Sequence, residues 1–415
     1  MVPVTRHWFG ALLLVLAAVP ASAQSINSLL PALAASGARL APDVPHFVAP
    51  PAGGASIGEV SNAIATRLTT FPLFPAWGVP TAAAPADGAN LVLSSGSFGQ
   101  RAATGGRGHA RIGFVHQGTE YGRIDGFNLR DSELKIALAH SGSHASASDA
   151  DAIEQVISMD LDRKVTGLFA AVGVSDRLDV GVIVPMVHVN VNARITSYLR
   201  RAGGAPESAH GFDALQLANR TVYGDWTRNG LGDIEVRAKL RAASQLAITG
   251  GVRLPTGDEE DWLGTGALQV SGGAIWSGDF GRVSPRVNAG YTYSREDEDT
   301  FEMPHEITYG GGVDVALSRF VSISGDAIGR MLRDVSKLRS GTLALPGTTG
   351  VPGFTSEDVL LQSGDTSNVQ TMFGAAGIRV LVARHLLLSG DYIFPILDRG
   401  LAPKMGVMLG ANVIF

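Results

Sequence analysis

Residues 233–242 read DIEVRAKLRA and alternate strictly between two kinds of side chain. The even-numbered residues are apolar and the odd-numbered ones are charged: Asp233, Glu235, Arg237, Lys239 and Arg241. Because successive side chains of a β-strand point to opposite faces, this pattern predicts a strand with one apolar and one charged face. Taken alone, the strand fits either a solvated edge in a soluble sheet or the wall of a membrane barrel with a polar lumen.

The carboxyl-terminal residues 404–415, KMGVMLGANVIF, show the same period of two and end on Phe415. A final alternating strand with a terminal aromatic residue resembles the carboxy-terminal signal of bacterial outer-membrane barrels. Residues 283–294, 321–330 and 386–394 alternate in the same way. Together these segments predict an all-β fold, a transmembrane antiparallel β-barrel, whose last strand is the contact for the barrel-assembly machinery.

The connections between the predicted strands are alternately short and long. Short links are expected at residues 175–177, 243–245, 277–279, 317–319 and 383–384. Longer segments are expected near residues 199–230, 257–265, 296–305, 334–370 and 397–403. Short turns on the periplasmic side and long loops outside are typical of outer-membrane barrels. Eleven strands can be counted back to about residue 162, and an even number requires one more near 109–117, so we predict about twelve strands.

The amino terminus indicates export. Arg6 and His7 precede an apolar run over residues 9–19, which is followed by a small-residue site with cleavage between Ala23 and Gln24. Residues 1–23 are therefore predicted to be a signal peptide, and no later run approaches the roughly 18 apolar residues of a membrane-spanning helix. We expect the protein to lie in the outer membrane of a Gram-negative cell, in contact with lipid and lipopolysaccharide.

Composition excludes several classes of protein. The formal net charge of -5 offers no basic excess for binding nucleic acid. The absence of cysteine excludes disulfides and thiolate metal sites, and it is compatible with passage through an oxidising periplasm. No cofactor motif is present.

Residues 24–107 form a leader rich in Ala, Pro and Gly, which precedes the barrel of residues 108–415. One short helix is expected at residues 56–68. The leader is either a loose periplasmic extension or a plug folded into the lumen, and the sequence leaves both open.

Strand parity assigns side chains to the lumen and to the membrane interfaces. Besides the five charged residues of the first segment, the predicted lumen-lining residues are Arg253, Arg286, Asn288, Asp326, Arg330, Arg379 and Asp391. The predicted interfacial aromatic belts consist of Trp276, Tyr291, Tyr293, Phe320, Tyr392, Phe394 and Phe415. The apolar parity inverts near Pro185, which predicts a β-bulge there and an inward polar row of His188, Asn190, Asn192 and Arg194.

Three strings carry a family resemblance: VSDRLDVGVIVP at 174–185, GLGDI at 230–234 and RLPTGD at 253–258. They resemble the outer-membrane channels named for the meta-cleavage pathway of phenol degradation, over roughly residues 107–415. The resemblance implies a transporter, with aromatic or other hydrophobic compounds as solutes. The motifs lie at turns and strand ends, and the long leader departs from the family pattern.

Other motifs have competing interpretations. The acidic runs 258–261 and 296–299, with Glu302, either bind Ca²⁺ between lipopolysaccharides or are solvated loops. His140 and His144 have the spacing of a metal pair but lack helical periodicity and a third ligand, so no metal site is assigned. No motif fixes a Ser-His arrangement, so we expect no enzyme.

Two functions remain open at this point. The protein is either a passive channel for small molecules, lined by the lumen charges and gated by the leader, or a non-transporting barrel that acts through its long outer loops. The lumen charges themselves either pair and close the interior or line a wet path.

Overall fold

The computed structural model describes residues 25–40, 47–70, 100–140, 151–201, 210–213, 217–295, 303–345, 352–362, 366–382, 385–397 and 399–415. Within these ranges no helix is both long and apolar enough to cross a membrane. The predicted signal peptide and its cleavage site at Ala23 and Gln24 lie outside the described residues, as do the acidic run 296–299, Glu302 and His144.

The described chain contains two helices and eighteen strands, in the following order along the sequence. They are α1 (Ile26–Gly37), β1 (Phe47–Ala49), α2 (Ile57–Thr69), β2 (Ala110–Ile124), β3 (Phe127–Asn128), β4 (Leu134–His140), β5 (Ala152–Gly173), β6 (Leu178–Arg200), β7 (Asn219–Leu231), β8 (Glu235–Arg241), β9 (Leu246–Arg253), β10 (Gln269–Ser277), β11 (Val283–Ser294), β12 (Glu306–Ala316), β13 (Val321–Ser336), β14 (Arg339–Leu345), β15 (Phe354–Leu361), β16 (Thr366–Val382), β17 (Leu386–Leu397) and β18 (Leu401–Ile414).

Twelve of these strands close into an antiparallel barrel. The order around the wall is β2, β5, β6, β8, β9, β10, β11, β12, β13, β16, β17 and β18, and β18 pairs again with β2. The predicted strand number is confirmed, and the strand expected near residues 109–117 is β2. The turns predicted at 175–177, 243–245, 277–279 and 317–319 join consecutive wall strands, while 383–384 lies outside the described residues.

The wall has an apolar outer face and a polar inner face. On β8, Val236 and Leu240 are 43% and 48% exposed, whereas Glu235 and Lys239 are 4% and 3% exposed. An exposed apolar face combined with buried charges is the reverse of a soluble sheet, and it is the arrangement of a barrel that spans a membrane. The aromatic residues predicted for the interfacial belts are all exposed: Trp276, Tyr291, Tyr293, Phe320, Tyr392, Phe394 and Phe415.

The long-loop end carries additional strands. β5 and β6 pair over their whole length, from Ala152 with Arg200 to Gly173 with Asp179. Beyond the wall, β4 pairs with β5 and β7 pairs with β6. β14 and β15 form a separate hairpin between β13 and β16. These elements were not anticipated, because the sequence interpretation treated the segments as loops.

The predicted bulge beside Pro185 is wrong. The β5–β6 register runs through Gly167 and Pro185 without a shift. At Pro185 β6 instead changes its second partner, since β8 pairs with it up to Ile183 and β7 from Met186 onward. The alternation of inward and outward side chains on β6 therefore continues unchanged past Pro185. Only the residues that each face contacts are different on the two sides of it.

The predicted inward row of His188, Asn190, Asn192 and Arg194 is consequently wrong as well. Val187, Val189 and Val191 are the buried residues, at 2%, 0% and 0% exposure. The polar row lies on the opposite face. Its members bond to β7: His188 Nδ1 lies 2.5 Å from Asn229 Oδ1, and Thr227 Oγ1 donates to Asn190 Oδ1 at 3.0 Å.

The helix predicted at residues 56–68 is confirmed as α2. It begins with a capping box in which Ser56 Oγ accepts from Glu59 N and Glu59 Oε2 accepts from Ser56 N. Both contacts satisfy backbone donors that the first turn leaves open. Helix α1 was not predicted; its N-cap is Ser25, and it contains Pro31.

Both helices pack at the long-loop end of the barrel. Ile26 and Leu30 of α1, and Ile64 and Leu68 of α2, belong to one buried cluster with inward side chains of the wall. Several strands of the ring contribute residues to this cluster: Leu161 on β5, Val189 on β6, Phe373 on β16 and Ile393 on β17. The helices therefore cover the long-loop end of the barrel between those strands.

Candidate functional site

The charged side chains of the lumen are arranged in compact groups of opposite sign. Arg286 contacts both Asp314 and Asp326, with its Nη2 atom 2.5 Å from Asp326 Oδ1. Three strands further around the wall, Arg379 Nη2 lies 3.2 Å from Asp391 Oδ1, and Arg379 Nη1 donates to Ser324 Oγ at 2.5 Å. These groups are almost completely buried, and the pairing offsets part of their desolvation cost.

Close-approach glycines make room for these carboxylates. A Cβ atom at Gly312 would overlap Asp326, and one at Gly377 would overlap Asp391. The missing side chains let each carboxylate lie flat against the neighbouring strand, within reach of its arginine.

Two more groups lie nearer the long-loop end. Glu235 is shared by Arg237 and Arg253, with Arg253 Nη2 3.7 Å from Glu235 Oε2. Arg330 Nε lies 3.1 Å from Glu306 Oε1, and Arg330 Nη2 donates to Thr70 Oγ1 at 2.6 Å. The second group joins the wall to the residue that follows α2.

Residues 100–107, which we call the inner strap, cross the lumen at the short-turn end. Gln100 N donates to Asn288 Oδ1 on β11 at 2.9 Å, and Asn288 Nδ2 donates back to Gln100 O at 3.1 Å. Ala102 N donates to Ser277 Oγ, and Thr104 Oγ1 donates to Asp176 O, both at 2.9 Å. The strap thus runs from β11 past β10 to the turn before β6.

Lys239 and Asp179 hold the middle of the inner strap. Lys239 Nζ donates to Ala103 O at 2.6 Å and lies 3.7 Å from Asp179 Oδ2. Gly105 N lies 3.1 Å from both oxygens of Asp179. The buried ion pair of Lys239 and Asp179 therefore bonds to both a backbone carbonyl and a backbone N–H of the inner strap.

A second ion pair connects the inner strap to the turn between β10 and β11. Arg101 Nη2 lies 2.5 Å from Asp279 Oδ1, which also accepts from Ser284 Oγ at 2.7 Å. Partial burial raises the pKa of Asp279, but the hydrogen bonds from Ser284 and Arg101 and the charge on Arg101 bring it below its ordinary value. Asp279 is consequently a carboxylate at neutral pH.

Replacing Lys239 with Met is expected to lower the free energy of unfolding by about 3 kcal/mol, because the buried Asp179 would lose its paired lysine. Urea unfolding of the refolded protein in detergent micelles, followed by tryptophan fluorescence, measures the change. The double variant Lys239→Met/Asp179→Asn should recover most of the loss. Arg241→Met is the matched control, since Arg241 lies on the same face of β8 but bonds only at the rim, to Asp176 O. A Lys239 variant as stable as this control would contradict the assignment.

A cavity of about 180 Å³ lies between α2 and the inner strap, beside strands β8 to β13. Thr70 borders it on one side and Gln100 on the other. Its charged lining combines three arginines with three carboxylates: Glu235, Arg237, Arg253, Glu306, Asp326 and Arg330. The surface of the cavity is therefore more apolar than polar, its charged groups are balanced, and it has room for a solute about the size of benzene.

The helices are also anchored by polar contacts at the long-loop end. Asp261 Oδ1 accepts from Ile26 N at the start of α1 and from Arg228 Nε, both at 3.0 Å. The favourable position of a carboxylate at a helix N-terminus explains the contact. Asp261, at the end of the acidic run 258–261, therefore connects the outer loop to the leader.

The second helix is held by a buried arginine. Arg67 Nη2 lies 2.7 Å from Asp125 Oδ2 and donates to Ser336 O at 2.9 Å. Asp125 also accepts from Leu338 N at 2.9 Å. Arg67 therefore joins α2 to the ends of β2 and β13.

The structure separates the predicted lumen residues into three sets. The inward, paired or strap-bound ones are Glu235, Arg237, Lys239, Arg253, Arg286, Asn288, Asp326, Arg330, Arg379 and Asp391. Asp233 and Arg241 lie at opposite rims, where Asp233 accepts from Gly257 N and Thr265 N. The third set is the row that begins at His188, which faces away from the lumen.

Several residues of these groups were missed by sequence reasoning: Arg67, Arg101, Asp125, Asp179, Asp279, Glu306 and Asp314. Parity on β6 would have found Asp179, since Leu178 and Val180 are its apolar neighbours. Arg67 and Arg101 belong to the leader, where strand parity does not apply.

No family model and no curated protein matches the sequence. Among solved structures, an outer-membrane channel from Pseudomonas putida F1 is similar over 75% of this chain and 97% of its own, with 12% identity and a TM-score of 0.44. A FadL homologue of Pseudomonas aeruginosa has 10% identity over 74% of this chain and 90% of its own, with a TM-score of 0.33. The toluene transporter TbuX of Ralstonia pickettii has 9% identity over 74% and 89%, with a TM-score of 0.25. The barrel architecture described above rests on the strand pairing itself.

Proposed function

We propose that the protein is an outer-membrane channel that passes small organic solutes through its polar lumen and is gated by its leader. The observation that carries the proposal is the charge-balanced cavity between α2 and the inner strap. Paired charges alone would fit a closed interior as well as an open one. Here they surround an open space.

The leader is the gate of this proposal. Its helices block one end of the lumen by apolar packing, and the inner strap crosses the other end through hydrogen bonds. Hydrogen bonds of the strap can be exchanged for hydrogen bonds to water, so the strap opens at a lower cost in free energy than the helices. Passage requires the leader to shift, and no catalytic step or cofactor is involved.

The solutes fit the lining of the cavity. Facing groups of opposite sign orient a dipolar molecule, and the glycine-rich wall formed by residues such as Gly273 and Gly290 leaves flat backbone for an aromatic ring to approach. Small polar aromatic compounds, in keeping with the resemblance to the phenol-degradation channels, are the proposed class. The expected surroundings are outer-membrane lipid and lipopolysaccharide, after export by a signal peptide and insertion by the barrel-assembly machinery.

Substituting Glu235 by Gln is expected to shift the ion selectivity of the open pore towards anions, because Arg237 and Arg253 lose their shared carboxylate. The reversal potential across a planar bilayer under a salt gradient measures the shift, in a chain that lacks residues 24–107. Glu357→Gln removes an exposed carboxylate from β15 and serves as the control. Equal selectivity in the two variants would take Glu235 off the solute path.

A further inference from the structure

One arginine of the lumen has no ion pair within the described chain. Arg163 lies on the inward face of β5 and is 3% exposed. Its Nε and Nη1 atoms have no hydrogen-bond acceptor among the described residues, and no described carboxylate lies within ion-pair distance of it. A buried charge in this state is destabilising, so an anion from outside the chain would stabilise it.

Arg163 belongs to a group of arginines at one end of the cavity between α2 and the inner strap. Arg253 on β9 and Arg330 on β13 line that cavity. Charge repulsion acts between Arg253 and Arg330, and also between Arg253 and Arg163. Tyr121 on β2 interacts with both Arg163 and Arg330. Three guanidinium groups therefore converge here from three different parts of the wall.

The carboxylates at this end of the cavity do not balance its arginines. Glu235 is shared by two of them. Asp233 acts on Arg163 from the rim, but its oxygens accept hydrogen bonds from Gly257 and Thr265. Within the described chain, four cations thus stand against three carboxylates: Arg163, Arg237, Arg253 and Arg330 against Asp233, Glu235 and Glu306.

The other end of the cavity has the opposite sign. Asp326 lines the cavity four residues before Arg330 on β13, which separates the two by about 13 Å along the strand. Asp326 shares Arg286 with Asp314, so two carboxylates contact one arginine there. The cavity is therefore polarised along β13, with its positive end towards the long loops.

We propose that the solute of this cavity is an aromatic monocarboxylate about the size of benzoate. Its carboxylate binds Arg253 and Arg330, and Arg163 behind them supplies the positive charge that the chain leaves in excess. Its ring lies on the backbone of Gly273 and Gly290, between the two charged ends. The inference rests on the proposed function, because it names the solute class of the same cavity.

The test measures binding to the full-length protein in detergent micelles by isothermal titration calorimetry at constant ionic strength. Benzoate is compared with benzamide, a neutral molecule of nearly the same shape, and should bind at least about tenfold more tightly. Acetate should bind at least about tenfold more weakly than benzoate, because it lacks the ring. Equal affinities for benzoate and either of the other two compounds would overturn the inference.

Variants of one arginine test the source of the charge. Arg163→Gln should lower the affinity for benzoate about tenfold and leave that for benzamide within about twofold. Arg163→Lys keeps the charge and should recover most of the loss. Arg111→Gln is the matched control, since Arg111 is also 3% exposed but pairs with Ala171, eight residues along β5 from Arg163. An equal loss in the two glutamine variants would contradict the site.

A gain of affinity provides a test that does not depend on the folding of Arg163→Gln. Glu235→Gln should raise the affinity for benzoate about threefold, because Arg237 and Arg253 lose their shared carboxylate. An unchanged or lower affinity in this variant would contradict the proposed solute.

Binding and conductance separate this inference from the proposed function. Benzoate binding by a protein that conducts neither with nor without residues 24–107 would overturn the channel and keep the carboxylate site. Conductance without benzoate binding would keep the channel and overturn the carboxylate site.

Discussion

Removing residues 24–107 is expected to convert a protein that conducts little into one that conducts steadily across a planar lipid bilayer. In the proposed function the helices cover the long-loop end of the lumen and the inner strap lies at its short-turn end, so the complete chain presents two obstructions in series. The truncated chain keeps every wall strand, because β2 begins at Ala110. Single-channel recording of both refolded proteins measures the difference, and heat-modifiable gel mobility confirms that both barrels are closed.

Other outcomes of this comparison are equally informative. Steady conductance in the complete chain would show that the leader does not obstruct the pore. Silence in both chains would contradict the channel and favour the alternative, a structural or surface-interaction barrel that acts through the sheet of β4 to β7.

Locking α1 to the wall is expected to abolish solute uptake by the complete chain until the lock is reduced. A Cβ atom at Gly37 would lie 3.2 Å from Ser197 Oγ. In a disulfide the Cβ of one cysteine lies about 3 Å from the sulfur of the other, so Gly37→Cys/Ser197→Cys has the required geometry. The chain has no other cysteine, and any bond formed is therefore the intended one.

Uptake of a small solute into proteoliposomes, before and after dithiothreitol, measures the effect of the lock. The single variants Gly37→Cys and Ser197→Cys control for the substitutions themselves. Equal uptake by the oxidised and reduced double variant would mean that solutes pass while α1 stays in place, and the gating role would move to the inner strap.

The barrel could be predicted from sequence because a membrane imposes one rule on many strands. The outward side chains of β8 and β18 must be apolar wherever lipid touches them, so parity assigns both faces without knowledge of any partner. The strand number followed from the same rule and from alternating connection lengths.

That rule fails where the lipid ends. Beyond Met186 the outer face of β6 meets water, and the inner face, with Val189, packs against the helices. The apolar parity therefore inverts while the backbone continues unchanged, and a sequence pattern cannot distinguish this inversion from a bulge. A glycine often marks a bulge, and none stands next to Pro185.

The candidate site was predictable in part for the same reason. Parity found Arg286, Asp326 and Arg379, which stand on regular strands. It could not find their arrangement into groups, because that depends on which strands are neighbours. Parity could not find the contacts of the leader either. Lys239, for example, donates to the backbone carbonyl of Ala103, and every residue type has such a carbonyl.

The seam between β2 and β18 sets the order in which this protein can be assembled. It joins the strand that directly follows the leader to the last strand of the chain, so the wall is complete only after the whole polypeptide has been delivered. Once that seam has formed, helices of this size have no way in through a wall of continuous hydrogen bonds. After that, the leader can enter only through an open end of the barrel, so the order of leader entry and seam closure decides which route it takes.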